Sequence, residues 1–351
     1  MRHQLDILEA QALIPPDIDR NIVSIEEVGR GRNSQVYKLT CGDGHCYALK
    51  AYFQAHRSDR DRLAVEFSAL RWLRQNQVTD IPRSIAADYA KGWALYEFVE
   101  GAPAGLSVTG EDIDMAVAFL AKLKELARTC PDSRELPEAA EACFSVKAIL
   151  DNVNSRLMRL VGHGQDGALY ADLDRFLANE FRHRLDEITK WSLRRLSEAG
   201  LSADAEIDRS QRTLSPSDFG FHNALKRNGR LVFVDFEYFG WDDPAKMVSD
   251  FLLHPGMELS ETHKKRFARG IFDRFSESPT LPARVKIVYP LFGLKWCMIM
   301  LNEFLPDQMS RRYFAGADQT EKETLQAEQL AKAGEFLLKI SEDYGNFPYA
   351  D

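Results

Sequence analysis

The sequence predicts an α+β protein, with a small antiparallel sheet in its N-terminal part and a mainly helical remainder. Three observations predict it. Between Ile22 and Val99, short runs rich in β-branched and aromatic residues alternate with glycine-bearing turns. One helical stretch interrupts them, in which Leu63, Phe67, Leu70 and Leu73 recur at helical spacing. Beyond about residue 107 the apolar period is helical almost throughout.

Each element follows in order. Pro15-Pro16 closes a short leader helix. Val23–Val28 reads as a first strand ending at Gly29-Arg30-Gly31, and Gln35–Thr40 as a second. Cys41-Gly-Asp-Gly-His45 is a turn, so Cys46–Phe53 returns as a third strand in a hairpin. A helix follows over roughly Arg57–Gln75, then Ser84–Tyr89 and Trp93–Val99 around the turn Lys91-Gly92. The expectation is a five-stranded antiparallel sheet with one helix inserted after the third strand. Glu100-Gly101-Ala-Pro103 ends it. The helices then run Asp112–Cys130, starting near Thr109 or Gly110, then Cys143–Val161 and Leu169–Ala199. Leu214–Leu225 is loop-like, Arg230–Phe236 is a short strand after the turn Asn228-Gly229, and Asp243–His254, Ser260–Phe275, Leu281–Phe304 and Thr320–Tyr344 complete the helices.

Bulk properties exclude several classes. With 351 residues the chain is long enough for two lobes and a sizeable core. A net charge of -8 argues against a nucleic-acid partner held by bulk electrostatics. No stretch reads as the ~18 apolar residues of a membrane span; the most apolar region, Tyr289–Leu305, contains Pro290, Lys295, Asn302 and Glu303. The N-terminus lacks the layout of a signal peptide, so the expected compartment is the cytoplasm, with no membrane partner. The five cysteines form no metal-binding spacing and are expected to be reduced, although the hairpin could bring Cys41 and Cys46 together. Oligomeric state is not readable.

Three constellations carry chemistry. In Gly29-Arg-Gly31-Arg-Asn-Ser34-Gln-Val36, a turn with small residues exposes backbone N–H groups to phosphate oxygens; Ser34 stands where a third glycine would complete G-x-G-x-x-G, and an ordinary hairpin is the alternative. Lys50, in Ala48-Leu-Lys50, sits mid-strand among small and apolar residues, so its ammonium needs an anionic partner. Glu66, at the phase of Leu63, Phe67 and Leu70, is the acid best placed to serve; a surface lysine and a solvated glutamate are the alternative. The strongest is Leu214-Ser-Pro-Ser-Asp218-Phe-Gly-Phe-His-Asn223, followed by Val232-Phe-Val234-Asp235-Phe-Glu237. Asn223 and Asp235 are oxygen ligands suited to Mg2+, which takes few protein oxygens and completes its shell with phosphate and water. Asp218 would accept or orient the proton of an attacking hydroxyl. Asp218-Phe219-Gly220 spells a kinase metal motif, but its position before Asn223 assigns it to the catalytic loop and leaves the metal to Asp235.

In this order the elements resemble the protein-kinase-like superfamily, in its aminoglycoside phosphotransferase and choline kinase branch, over about residues 22–305. The family's catalytic loop usually reads H-G-D-x-x-x-x-N; here it is Pro216-Ser217-Asp218 to Asn223, without the histidine and glycine. Val234-Asp235-Phe236-Glu237 matches the family's I-D-W/F-E, and Asp243-Pro244 with Ser249-Asp250-Phe251 echoes its later G-D-P and D-L. The resemblance implies a bilobal protein-kinase-like fold, with an N-lobe over 1–100 and a helical C-lobe over 101–351. It implies ATP, with GTP not excluded, and Mg2+. Gly31 and Ser34 would cover the phosphates, Val36 and Ala48 would lie above the adenine, and Leu225 and Val234 below it. Tyr96–Val99 would be the hinge, with Glu97 and Val99 contributing. Lys50 would hold the phosphates, Glu66 would orient Lys50, and Asp250 would buttress the catalytic loop. The partner would be a small molecule bearing a hydroxyl, such as a sugar, aminoglycoside or amino alcohol, met by residues among His222, Trp241, Asp242, Trp296 and Glu303. A small-molecule kinase is the expectation; a catalytically inactive, nucleotide-binding regulatory protein of the same fold is the alternative, motivated by Pro216-Ser217. A protein kinase ranks below both, because no H-R-D arginine or A-P-E segment is present.

Overall fold

The computed structural model describes residues 6–16, 18, 20–30, 34–53, 60–309, 322–342 and 344–349. Gly31 lies outside them, as do the expected helix start at Arg57 and the residue Thr320. The fold has a sheet-bearing N-terminal part and a mainly helical C-terminal part, as the sequence predicts. The chain divides into two compact units: Met1–Leu106 with Phe221–Phe239, and Ser107–Gly220 with Gly240–Met309 and Gln319–Asp351.

In the first unit, β1 (Ile22–Arg30), β2 (Ser34–Cys41), β3 (Cys46–Tyr52), β4 (Ser84–Asp88) and β5 (Trp93–Glu97) form one antiparallel sheet in the order β1-β2-β3-β5-β4. The helix α2 (Arg62–Gln75) follows β3, as the sequence predicts. Gly92, at φ 70, makes the tight β4–β5 turn, and the Asp88 carboxylate accepts the N–H groups of Ala90 and Lys91 inside it.

Register sorts the side chains. Val36 pairs with Lys50, Lys38 with Ala48, and Lys50 with Ala94, so Val36, Ala48 and Lys50 share one face of the sheet. The opposite face carries Leu39, Tyr47, Leu49 and Leu95, buried against Ala10, Leu13 and Ile14 of the leader segment that contains α1 (Ile7–Gln11). The Gln11 side chain fixes that segment, donating to the Arg20 carbonyl and accepting the Ile22 N–H. The same register settles the cysteines. Cys46 faces Thr40 across the hairpin, which turns Cys41 to the other face, and both thiols are free.

The unit is completed by β6 (Ala102–Pro103), β8 (Ala224–Arg227) and β9 (Arg230–Phe233), a small sheet of order β6-β8-β9. The expected strand Arg230–Phe236 stops at Phe233, because Asp235 takes φ 66 and leaves the extended region.

The second unit is built on α3 (Gly110–Thr129), α4 (Val146–Val161), α5 (Ala168–Arg175), α6 (Arg182–Glu198), α7 (Pro244–Leu253), α8 (Glu261–Arg274), α9 (Leu281–Met300) and α10 (Lys322–Glu342). Thr109 caps α3 in a reciprocal box with Asp112. The expected helix Leu169–Ala199 is divided. A widened turn over Phe176–Phe181 joins α5 to α6 and brings Phe176, Leu177 and Phe181 all to the buried side. Two short strands absent from the sequence reading, β7 (Thr213–Ser215) and β10 (Gly240–Asp242), pair antiparallel and run into the segment that carries Asp218 and into α7.

The segment Leu281–Phe304 is long and apolar enough to cross a membrane, which the sequence reading did not credit, and 72% of its apolar window is buried inside the protein. Pro290 sits within α9 without ending it, and Lys295 is buried against Asp250.

Gly240 marks the tightest approach. Trp241 donates its N–H to the Pro137 carbonyl and accepts that of Ala139, zipping the segment Pro137–Ala139 onto β10. A Cβ at Gly240 would lie 2.3 Å from the Pro137 carbonyl oxygen and 2.6 Å from the Ala139 nitrogen. Both obstacles are backbone. Gly240→Ala is therefore expected to cost about 3 kcal/mol, read as a fall in the denaturation midpoint at unchanged m value.

Candidate active site

In the first unit the site is an ion cluster centred on Lys50. Its ammonium donates to Glu66 and to Asp235 at 2.7 Å each, and the Glu237 carboxylate lies 3.8 Å away. Burial alone would pull the lysine down. The carboxylates of Asp235, Glu66 and Glu237 more than reverse that and hold it well above its ordinary value. Lys50 is thus a fixed positive charge.

Glu66 reaches the cluster because it lies on the buried face of α2, among Leu63, Phe67 and Leu70. Both carboxylate oxygens are used. One accepts from Lys50 and from the Tyr52 hydroxyl, the other from the backbone N–H of Phe236. Glu66 therefore ties α2 to β3 and to the residue that follows Asp235. Tyr52 also shares a hydrogen bond with Tyr96 at 2.7 Å, and burial, then the Glu66 charge, hold both phenols well above their ordinary range. They remain protonated.

Asn223 and Asp235 sit at the same end of the β8–β9 hairpin. Ala224 pairs with Phe233, and the Asn223 carbonyl accepts the N–H of Val234. The positive φ of Asp235 turns its carboxylate off the strand line, a strained conformation of the kind that gathers at functional sites. The donor set is oxygen only: the Asn223 amide, and an Asp235 carboxylate whose side chain is 33% exposed and gives one oxygen to Lys50. That chemistry fits Mg2+.

The other residues assigned to the nucleotide fall within this unit. Ser34 opens β2 and is buried, Val36 and Ala48 flank Lys50 on its face, and Leu225 and Val234 lie half-buried at the β8–β9 hairpin. Val99 follows β5 and is buried. Glu97 is committed elsewhere: its N–H donates to the Arg83 carbonyl, and its carboxylate accepts from Arg74 and Arg83.

In the second unit Asp218 lies just beyond β7. Its N–H donates to the Pro216 carbonyl, in a turn where Ser217 adopts φ 68. His254, at the end of α7, places Nε2 3.4 Å from an Asp218 oxygen. Its Nδ1 accepts the N–H of Gly256, which assigns the ring proton of the neutral form to Nε2, facing the carboxylate. The His254 ring meets Trp296 edge to face at 4.7 Å, and the Trp296 indole N–H donates to Asp250.

Three of the residues assigned to the acceptor are buried. Asp242 is completely buried and bound to Lys246 at 2.7 Å. Trp241 is buried, with its indole N–H on the Ser133 carbonyl. Glu303 is also buried. Trp296 is half-buried with its polar atom on Asp250, and His222 is half-buried in a short turn over Phe221–Asn223.

Sequence reasoning missed Tyr52, Glu237, Lys246 and His254. A signal existed for Lys246. It stands four residues after Asp242 and four before Asp250, so a helix starting at Pro244 brings all three together. No comparable signal marks His254, whose approach to Asp218 is a tertiary contact.

The chain matches the sequence profile of the phosphotransferase enzyme family (APH) over residues 24–282, most of its length, and it belongs to that family. No curated protein matches the sequence. Among solved structures, a spectinomycin phosphotransferase in complex with ADP and spectinomycin superposes with a TM-score of 0.63 at 14% identity, covering 95% of this chain and 97% of that one. A choline kinase from Cryptosporidium parvum gives 0.57 at 12% identity, with 97% and 99% covered. An amicoumacin kinase in complex with AMP-PNP and Ca2+ gives 0.58 at 14% identity, with 96% and 92% covered.

Proposed function

We propose that the protein transfers the γ-phosphate of ATP, with Mg2+, to a hydroxyl of a small molecule. The observation that carries the reading is the Lys50–Glu66–Asp235 cluster, a buried cation held between two carboxylates from distant parts of the chain. Membership of the phosphotransferase family supports it. So does the five-residue spacing from Asp218 to Asn223, with Asp235 following.

Each residue then has a task. Lys50 meets phosphate oxygens with a charge that the surrounding carboxylates hold in place, and Glu66, locked by Tyr52 and the Phe236 N–H, keeps it on station. Asn223 and Asp235 hold the metal, which supplies neutralisation of the phosphate charge. Asp218 orients the acceptor hydroxyl and takes its proton. The contribution of the chain is positioning and charge complementarity, as for phosphoryl transfer in general. The backbone at Ser34 covers the phosphates, and the segment ending in Glu97 and Val99 lies along the nucleotide base.

Solved relatives of the fold act on spectinomycin, choline and amicoumacin by their names, so the acceptor class proposed here is a metabolite or antibiotic alcohol. With Trp241, Asp242 and Glu303 buried, Trp296 and His222 remain as acceptor-side residues.

The test is ADP formation from ATP and Mg2+ that depends on an added alcohol, run across sugars, aminoglycosides and amino alcohols. Removing Mg2+ with a chelator is expected to abolish it. Magnesium-dependent ATP binding with no turnover of any acceptor would favour the inactive regulatory alternative.

A further inference from the structure

We propose that Lys246 and Ser217 are positioning residues for Asp218, the fixed end of a buried brace that sets where the carboxylate points. The proposal rests on the catalytic reading of Asp218 given above and goes beyond it, by naming what holds that residue.

The brace starts at Lys246, which has no exposed surface. A buried ammonium offers three N–H donors, and each has a partner here. Asp242 lies at 2.7 Å, the Ser217 hydroxyl at 2.9 Å and Asp250 at 3.2 Å. Burial alone would lower the lysine, and Asp242 with Asp250 more than reverse it, so it stays charged. Lys295 adds a second cation on Asp250, which leaves two lysines against two carboxylates and the group neutral overall. A saturated, neutral, buried ion group is a rigid point.

Ser217 couples that point to the residue after it. Its φ of 68 is a left-handed conformation that costs a non-glycine residue roughly 1 kcal/mol. Three hydrogen bonds hold it there. The hydroxyl accepts from Lys246 and donates to the Ala140 carbonyl, while its N–H donates to the Ser215 hydroxyl. The next residue is Asp218, whose own N–H is tied to Pro216.

A second arm leaves the same hub. Asp250 accepts the Trp296 indole N–H, Trp296 packs on His254, and His254 Nε2 faces the Asp218 carboxylate. Asp250 and Lys246 therefore reach Asp218 twice, through its backbone by Ser217 and toward its side chain by His254. A core ion cluster serving stability alone would need neither arm.

The experiment compares wild type with Ser217→Ala and Ser217→Gly in the full-length protein. Lys246→Met strips the cation from between two buried carboxylates and endangers folding, so the serine variants carry the test. The readouts are amide hydrogen exchange over residues 214–220, melting temperature, and kcat separated from the KM for ATP. In Ser217→Ala, exchange in that segment is expected to rise by roughly tenfold or more, the response of a loosened local structure. Turnover is expected to fall by about tenfold to a hundredfold with KM for ATP within about twofold, as for a displaced catalytic group. Ser217→Gly adopts the left-handed conformation freely, so it is expected to recover melting temperature but not kcat. That split separates positioning from backbone strain. Unchanged exchange in Ser217→Ala overturns the proposal whatever the activity, and so does wild-type kcat in both variants. Raised exchange in a protein whose wild type turns over no acceptor upholds the brace and overturns the catalytic reading of Asp218.

Discussion

Asp218→Asn is expected to lower turnover by roughly a hundredfold to ten-thousandfold, the range for removing a positioned general base, with nucleotide affinity within about twofold. The substitution keeps the size of the side chain and removes its capacity to take a proton. The Asp218 N–H bond to Pro216 is made by the backbone and survives. The His254 contact is affected differently, because an amide oxygen still accepts from Nε2 but carries no charge. The measurement is steady-state kinetics with the best acceptor, together with the dissociation constant for ATP and Mg2+ on the same preparation. A variant that loses nucleotide binding and turnover in parallel would place Asp218 in the nucleotide site, as its Asp-Phe-Gly spelling suggests.

Lys50→Met has the other large expected effect, and it acts on stability as well as activity. The substitution matches the length of the side chain and deletes the charge. Glu66 and Glu237 are then left buried near Asp235 without the Lys50 ammonium. Breaking a buried ion pair from one side typically costs about 3–5 kcal/mol, because the remaining charge is uncompensated. Arg62, 3.8 Å from Glu237, offsets part of the penalty at that residue, and the Tyr52 hydroxyl and Phe236 N–H still serve Glu66. The expected result is thus a loss at the lower end of the range in chemical denaturation, with ATP turnover lost even where the protein remains folded. The double variant Lys50→Met/Glu66→Gln should recover part of the stability and none of the activity, since it relieves the buried charge without restoring a partner for phosphate.

Much of this arrangement was legible in the sequence because it is local. Strand alternation with glycine turns defines the five-stranded sheet, and helical spacing in Leu63–Leu73 puts Glu66 on the inner face of α2. The strand ending before Asp235 and the spacing Asp218 to Asn223 carry the rest of the motif. What escaped depends on contacts between segments distant in sequence. Trp241 and Asp242 read as acceptor candidates because a carboxylate beside a tryptophan can bind an amine through charge and cation–π contact. They are interior because β10 pairs with β7 and the segment Pro137–Ala139 closes over them. Pairing of two three-residue strands leaves almost no periodic signal. Glu303 is buried in the short helical turn Leu301–Phe304 that follows α9.

The departure at Pro216-Ser217 is the instructive case. From sequence it argues for a weakened catalytic loop, since the usual histidine and glycine are missing. In the structure Ser217 takes a left-handed backbone conformation, and its hydroxyl binds Lys246 and Ala140. A substitution that reads as a loss can be offset by a lysine 29 residues away, which no local motif would reveal.

In the proposed reaction a phosphoryl group leaves ATP and arrives on a carbon-bound hydroxyl. The most direct measurement is mass spectrometry of the acceptor pool after incubation with ATP labelled in its γ-phosphate, Mg2+ and wild-type protein, beside Asp218→Asn. One alcohol in the pool is expected to gain a labelled phosphoryl group, with the gain nearly absent in the variant. Label recovered only as free phosphate, or acceptor labelled equally by wild type and Asp218→Asn, would contradict it.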